Sequence, residues 1–277
     1  MRSVSFAVSA IGVLAIAAGS ASASLVVKGT GGSWQAFPSS LNDYSNPNRA
    51  YWDQDTKDRA GTVTNRNIGT YLNGSWTGSL PSGAAASPMI SPVWWGKSST
   101  PDFHASMDNG IGFDLSAPSS SVASELRLEV AGYAPSNEIG WYSLADAAGA
   151  ETLHTIISGP MSPIVSNSFV PTGEFGLYIK TGGGKVFFTE SSRNRKVNGD
   201  ALTANDRATQ HFAIFAADLT LGAESYFVGV EDLPRSEAGI EIVGDYNDLV
   251  FRISAVPTPS AIALLGLGGL VATRRRR

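Results

Sequence analysis

Short strand-forming runs separated by turn-forming residues dominate the chain from residue 125 onward, and they limit the folds open to it. Glu125–Ala131 alternates apolar and charged residues, which predicts a strand with one buried face. Glu174–Lys180 and Lys185–Thr189 flank Thr181–Gly184, a glycine-rich segment that predicts a β-hairpin. Further predicted strands are Glu138–Leu144, Thr152–Ile157, His211–Ala216, Tyr226–Val230 and Leu249–Ile253. Strands at this spacing favour an all-β body of the β-sandwich or jelly-roll type.

The first hundred residues of the body are less regular. Leu25–Val27 predicts a first strand, and Asn67–Leu72 and Val93–Trp95 predict weaker ones. Of the 277 residues, 30 are Gly and 14 are Pro, a composition that disfavours long helices. We therefore predict one β-sandwich domain over 24–254, with a less regular part at 24–124 and a more regular core at 125–254.

Cysteine content and charge exclude several classes of protein. The absence of Cys rules out disulfides, thiol catalysis and Cys-ligated zinc or iron–sulfur sites. Of the 20 Lys and Arg residues, one lies in 1–23 and four end the chain, which leaves 15 against 24 acidic residues. Such a body repels nucleic acid and attracts divalent cations weakly. We expect no nucleic-acid partner.

The N-terminal segment Met1–Ala23 has the pattern of a secretory signal helix. A short basic start precedes an apolar centre, and the small residues Ala21 and Ala23 end it. We predict cleavage before Ser24. A permanent N-terminal membrane anchor is the alternative, which the shortness of the apolar run disfavours.

The C-terminal segment 255–277 has three parts in a fixed order. Pro257, Thr258 and Pro259 form a stiff break, Ala261–Ala272 is apolar and uncharged, and four arginines follow. These are Arg274, Arg275, Arg276 and Arg277. Twelve helical residues rise about 18 Å, against ~30 Å of hydrocarbon, so the predicted transmembrane helix is short and needs its flanking residues. The arginines would stay on the cytoplasmic side.

This order resembles the PEP-CTERM sorting signal of Gram-negative bacteria. The resemblance implies recognition by an exosortase, transient anchoring in the inner membrane through the C-terminal helix, and delivery to the cell surface or the extracellular space. The chain has Thr258 where the family has Glu between the prolines. That departure concerns the processing step more than the anchoring step.

The second half also resembles a family of bacterial surface domains of unknown function that often carry this tail. The matching segments are Asn137–Trp141, Gly173–Tyr178, His211–Phe215, Val228–Leu233 and Asp245–Phe251. The hallmark is Glu-Asp-Leu followed by Asp-Tyr-Asn-Asp, which opens a strand. The resemblance implies an extracellular β-sandwich without an assigned activity, for which calcium binding has been proposed.

Acidic residues crowd the connection between the last two predicted strands. Within 18 residues lie Glu231, Asp232, Glu237, Glu241, Asp245 and Asp248, with Arg235 as the one opposing charge. Like charges this close repel each other unless water or a cation screens them. Calcium prefers six to eight oxygen ligands from carboxylates, amides, backbone and water. The candidate calcium ligands are Glu231, Asp232, Asp245, Asn247 and Asp248, which converge if the flanking strands pair.

A purely local interpretation of these residues remains open. Asp245 and Asn247 are also typical of Asx turns, and Asp248 can cap backbone amides before the strand. The spacing of an EF-hand is absent from the sequence.

Catalytic motifs are absent from the sequence. There is no HExxH zinc motif and no GxSxG elbow, and His104, His154 and His211 are far apart. We therefore expect a non-enzymatic surface or extracellular-matrix protein, with extracellular polysaccharide as a possible partner. A glycan-binding module and an uncharacterised hydrolase are the alternatives. The glycan hypothesis depends on exposed tryptophans among Trp34, Trp52, Trp76, Trp94 and Trp95, whose commoner role is packing beneath loops.

Overall fold

The computed structural model describes residues 23–36, 66–97, 110–116, 120–131, 134–159, 165–196, 202, 209–217, 225–233 and 245–256. The predicted signal segment up to residue 22 and the sorting tail, including Pro257, Thr258, Pro259 and the four terminal arginines, lie outside these residues. Within them, no helix has the length and apolar character needed to cross a membrane.

The described residues form two antiparallel β-sheets. In chain order the elements are β1 (Leu25–Lys28), β2 (Ser33–Ala36), α1 (Ile68–Asn73), β3 (Val93–Gly96), β4 (Gly112–Leu115), β5 (Ser121–Glu129), β6 (Glu138–Ser143), β7 (His154–Ser158), β8 (Ser166–Phe169), β9 (Phe175–Lys180), β10 (Lys185–Phe188), β11 (Arg195–Lys196), β12 (Phe212–Ala216), β13 (Ser225–Val230) and β14 (Leu249–Val256). The first sheet has the order β1-β4-β9-β10-β11, with β6 paired to β9 and β7 to β6. The second sheet has the order β2-β3-β12-β13-β14-β5-β8.

The main hydrophobic core lies between the two sheets. From the first sheet it takes residues such as Phe113, Leu177 and Phe187, and from the second it takes residues such as Val228 and Phe251. All of these side chains are buried, and polar residues alternate with them where a strand has one solvated face. The prediction of an all-β sandwich is confirmed at this level.

The strands with strong alternation are found close to their predicted positions. The predicted hairpin exists, since β9 and β10 pair antiparallel across the glycine-rich turn. The strand predicted at Asn67–Leu72 is wrong, because Ile68–Asn73 is a helix. The side chain of Asn67 accepts a hydrogen bond from the Thr70 backbone N–H, Thr70 returns one, and the left-handed Gly74 ends the helix. The short strands β2, β4, β8 and β11 were not predicted.

Helix α1 and the segment that follows it add a third layer on the outer face of the second sheet. Ile68, Tyr71 and Leu72 pack there against Phe215 and Val250. The pairing of β14 with β5 contains a register shift, which turns successive apolar residues of β5 to opposite faces of the sheet. One of these β5 residues therefore packs in this outer layer. This layer borders the acidic segment, because the Ile68 backbone N–H donates to the Asp245 carbonyl at 3.0 Å.

Two tyrosines of the first sheet lie over glycines of the neighbouring strand. In the register of β6 and β9, Tyr142 faces Gly176 and Gly140 faces Tyr178. A β-carbon on either glycine would lie 2.4 Å from the facing ring. Both rings are fully buried, so neither can move aside without opening the outer face of the sheet.

We predict that Gly176→Ala destabilises the protein by about 1–3 kcal/mol, because the added methyl group overpacks the fixed Tyr142 ring. Gly173→Ala is the matched control, since nothing lies within 4 Å of a β-carbon there. Urea unfolding of both variants measures the difference. Equal stability of the two variants would contradict the ring-over-glycine account.

Candidate cation site at one end of the sandwich

The pairing of β13 with β14 brings the two ends of the acidic connection together. Val230, the last residue of β13, pairs with Leu249, the first residue of β14. Residues 231–233 and 245–248 therefore leave the sheet side by side. Of the six acidic residues in the connection, Glu237 and Glu241 lie outside the described residues, as does Arg235. The predicted convergence is found for the other four.

Glu231 is held in a buried position by three hydrogen bonds to two residues. It is 8% exposed, and its Oε1 accepts the backbone N–H of Tyr246. Its own N–H donates to the His211 carbonyl at 3.0 Å, and its carbonyl lies 3.0 Å from the His211 Nδ1. Because a carbonyl only accepts, Nδ1 carries the proton in this contact. The His211 ring stacks on the Phe187 ring of the first sheet, with the two ring centroids 3.6 Å apart.

Tyr246 fixes the turn that carries the other acidic residues. Its φ of 53° lies in the left-handed region, which is costly for a bulky residue. Full burial of the ring and a 2.8 Å hydrogen bond from its hydroxyl to the Gln210 carbonyl stabilise this conformation. Gly229 of β13 leaves the space for it, since a β-carbon there would lie 2.7 Å from the Tyr246 carbonyl oxygen.

Asp245 and Asn247 form a local turn. The Asp245 Oδ1 accepts the Asn247 backbone N–H at 3.3 Å, and its Oδ2 accepts the Asn247 Nδ2 at 2.7 Å. The same Nδ2 also donates to the Arg66 carbonyl, which connects this turn to the start of α1. The local Asx-turn interpretation thus describes these two residues as they stand, and it leaves the carboxylate next to the rest of the cluster.

Asp232 and Asp248 connect the acidic segment to both sheets. The Asp248 Oδ2 accepts the Asp232 backbone N–H at 2.8 Å, and the Asp248 carbonyl accepts the Val130 N–H beyond β5 at 2.9 Å. The Asp232 side chain reaches the first sheet, where its Oδ2 accepts the Nδ2 of Asn137 at 2.9 Å. Asp232 and Asn137 are both buried. A polar contact between the sheets therefore lies at the acidic end.

Burial and neighbouring carboxylates raise the pKa values of Glu231 and Asp248. Burial raises the pKa of Glu231 well above its ordinary value, and the negative charges of Asp248 and Asp245 raise it further. Burial likewise raises the pKa of Asp248, with Asp232 and Asp245 adding to the effect. In the described part of the chain, no Lys or Arg forms a salt bridge with Glu231 or Asp248. Their charges are therefore costly unless a proton or a cation compensates them.

A second buried charge cluster in the described part of the chain is balanced. On the outer face of the first sheet, the Arg193 guanidinium lies 3.1 Å from the Glu151 carboxylate and also contacts Glu190. Arg195 pairs with the second oxygen of Glu151. Arg193 also donates to the carbonyls of the β6–β7 connection, which it holds against the sheet. Matched charges and backbone acceptors make this cluster a structural clasp.

The side chains of the acidic cluster do not form a ready-made metal cage. Among the residues that the structure describes, no group of three or more His, Cys, Asp or Glu side chains is arranged to hold a metal ion. The oxygens are instead turned partly toward backbone donors, as in the contact from Tyr246 to Glu231. Closer approach of four like charges requires a compensating cation to be present.

The tryptophans in the described part of the chain do not form the surface that the glycan hypothesis requires. Trp94 is 1% exposed and Trp76 packs against the helix layer. Trp34 and Trp95 are partly buried, with their rings at 78°. Among the described tryptophans there is thus no exposed coplanar pair, and Trp52 lies outside this part of the chain.

The predicted signal cleavage falls where the described fold begins. Ala23 is buried beside β1, whereas Ala21 lies outside the described residues. The backbone N–H of Ser24 donates to the Ser116 Oγ at 2.8 Å, and the Ser116 N–H donates to the Ser24 carbonyl at 2.9 Å. The first residue of the predicted mature chain is therefore tied to the end of β4.

Three residues that shape the site had no predicted role in it. Asn137 is about 95 positions away from its partner Asp232, so no local pattern joins them. Tyr246 and Gly229 were assigned to a motif and to a strand, without a role at the site. Their meeting depends on the packing of the acidic turn on β13, which is a tertiary contact.

Comparison of the chain with known protein families, with curated proteins and with solved structures found no match. The family resemblances drawn from the motifs therefore stay predictions.

We predict that, in chelator, Glu231 and Asp248 lower the free energy of unfolding as the pH rises from about 4 toward neutral. Their pKa values in the folded state lie above the ordinary 4.5 and 3.8, so at these two sites the folded chain holds more protons than the unfolded chain in this range. The stability of Glu231→Gln relative to the wild type should therefore rise with pH. Urea unfolding at several pH values measures the difference, with the exposed Glu174→Gln as control. A difference that stays constant over this range, or that appears equally in Glu174→Gln, would contradict the prediction.

Proposed function

We propose that the chain is an exported, non-enzymatic protein of a bacterial cell surface or extracellular matrix, and that a calcium ion stabilises the acidic end of its β-sandwich. The observation that carries the proposal is the convergence of Glu231 and Asp248. Both carboxylates have raised pKa values and no salt bridge in the described part of the chain. A chain that keeps such a cluster in the native state needs a compensating positive charge.

Calcium fits the chemistry of this donor set. The cluster offers carboxylate oxygens of Glu231, Asp232, Asp245 and Asp248, and these are hard ligands of the kind calcium prefers. The Asn247 side-chain nitrogen already donates a hydrogen bond to Asp245, which leaves the amide oxygen of Asn247 as a further calcium ligand. Calcium accepts irregular geometry and can complete its shell with water, whereas magnesium demands near-octahedral geometry. A site of this kind in an extracellular module typically binds calcium with a Kd of about 0.1–1 mM.

The two ends of the sequence support the proposed location. The signal segment directs export, and the tail that resembles PEP-CTERM would hold the chain in the inner membrane until an exosortase acts on it. The disulfide-free body suits this route, because 231 residues can bury a sufficient core without cross-links. The proposed partners are the exosortase during sorting and extracellular polysaccharide afterwards.

For the cation, we predict that calcium raises the melting temperature of the full-length protein relative to chelator. At calcium about tenfold above Kd, the native state gains about 1.4 kcal/mol. Asp248→Asn should reduce the gain, while Glu174→Gln, an exposed carboxyl paired with Lys28, should leave it unchanged. Magnesium at the same concentration should give a smaller gain. An unchanged melting temperature in calcium would remove the cation from the proposed function.

For export, we predict that protein recovered from the bacterial surface begins at Ser24. Intact mass measurement reports this end and the state of the C-terminal tail in the same spectrum. A mass that still includes residues 1–23 would contradict the assignment of Ala21 and Ala23 to a cleavage site.

A further inference from the structure

We infer that Asn137 completes the cation site from the opposite sheet through its Oδ1, so that the bound calcium ion links the two sheets of the sandwich. This inference rests on the proposed function and assigns to the site a ligand that the acidic motif does not contain. Asn137 directly precedes β6 of the first sheet, whereas the acidic residues follow β13 and precede β14 of the second.

The amide of Asn137 is buried, and one of its two polar atoms lacks a partner in the described part of the chain. The side chain is fully buried, and its Nδ2 donates to the Asp232 Oδ2 at 2.9 Å. Its backbone carbonyl accepts the Gly159 N–H at 3.1 Å. Among the residues that the structure describes, its Oδ1 has no hydrogen-bond partner. The unsatisfied atom is therefore an acceptor on a residue that already touches the acidic cluster.

An unsatisfied buried oxygen is expensive and requires an explanation. Leaving a buried acceptor without a partner costs about 1–3 kcal/mol, and most such groups in native proteins are bonded to protein, water or an ion. Oδ1 and Nδ2 are bonded to the same carbon, and Nδ2 is hydrogen-bonded to the Asp232 carboxylate, so Oδ1 lies close to that carboxylate. Two acceptor oxygens that lie close together repel each other unless a hydrogen-bond donor or a cation lies between them.

A calcium ion satisfies both groups at once. Amide oxygens are regular calcium ligands, and Asn adds an oxygen without adding a further negative charge to the four carboxylates. The hydrogen bond from Nδ2 to Asp232 fixes the amide plane, so Oδ1 is oriented before the ion arrives. The ion then holds ligands from the ends of both sheets.

The test compares three variants of the full-length protein in calcium and in chelator. Asn137→Leu replaces the amide with an apolar side chain of similar size, which removes Oδ1 together with the Nδ2 donor to Asp232, and we expect its calcium affinity to be about tenfold weaker. Asn137→Asp adds a charged oxygen and loses the donor to Asp232, so we expect lower stability in chelator and a larger gain from calcium. Asn194→Ala is the control, because both amide atoms of this buried residue bond to backbone and neither bonds to the cluster.

Terbium luminescence supplies a second measurement, independent of stability. Terbium occupies calcium sites, and its decay rates in H₂O and D₂O count the water molecules on the ion. We expect one more water on the ion in Asn137→Leu than in the wild type, and an unchanged number in Asn194→Ala. If Asn137→Leu does not fold, the test depends on Asn137→Asp, which should gain more stability from calcium than the wild type does. If Asn137→Asp shows no larger gain, the inference is refuted.

The outcomes separate the two proposals. A wild-type protein that calcium does not stabilise overturns the cation in the proposed function and this inference with it. A wild type that calcium stabilises, together with an Asn137→Leu variant of equal affinity and equal hydration of terbium, overturns only the role of Asn137.

Discussion

The antiparallel pairing of β13 with β14 is the contact on which the candidate site depends. Its register places Val230 opposite Leu249, so the two acidic ends of the connection have to leave the sheet next to each other. Hydrophobic burial on both faces of these strands fixes the register, because a shift by one residue would turn the apolar side chains toward the wrong layer. The free energy gained by burying the core thereby offsets the repulsion between Glu231 and Asp248.

The two buried charge clusters illustrate different uses of acidic residues. Glu151 accepts from two arginines and a backbone N–H, so its charge is compensated within the fold and its pKa is lowered. Glu231 has one backbone donor and acidic neighbours, and its pKa is raised. A carboxylate that the fold compensates serves structure alone. One that the fold leaves uncompensated makes stability depend on protons or ions in the surrounding solution.

The sequence predicted what local periodicity determines. Alternation of apolar and charged residues predicted β5 close to its observed position, and apolar runs next to turn-forming residues predicted β9 and β13. Asn67–Leu72 failed because a capping box and a left-handed Gly74 favour a helix more than its apolar residues favour a strand. The strand β8 was missed because its sequence, Ser-Asn-Ser-Phe, has no apolar alternation and pairs only at the edge. The convergence of the acidic residues was predictable from strand pairing, whereas the contact between Asn137 and Asp232 depends on how two sheets pack.

If an ion links the two sheets, the stability of the β-sandwich depends on the calcium concentration of the compartment in which the protein is located. A site with a Kd near 1 mM is empty at the low calcium concentration of a cytoplasm and filled outside the cell, and it stabilises only the chain that has already been exported. A disulfide gives an exported domain a similar advantage, since it also forms only in an oxidising compartment. In a chain without Cys, an ion that binds after export would give the same advantage. Ligands from both sheets are what this advantage requires, because an ion held within one loop would stabilise only that loop, whereas an ion between Asp232 and Asn137 would oppose separation of the sheets.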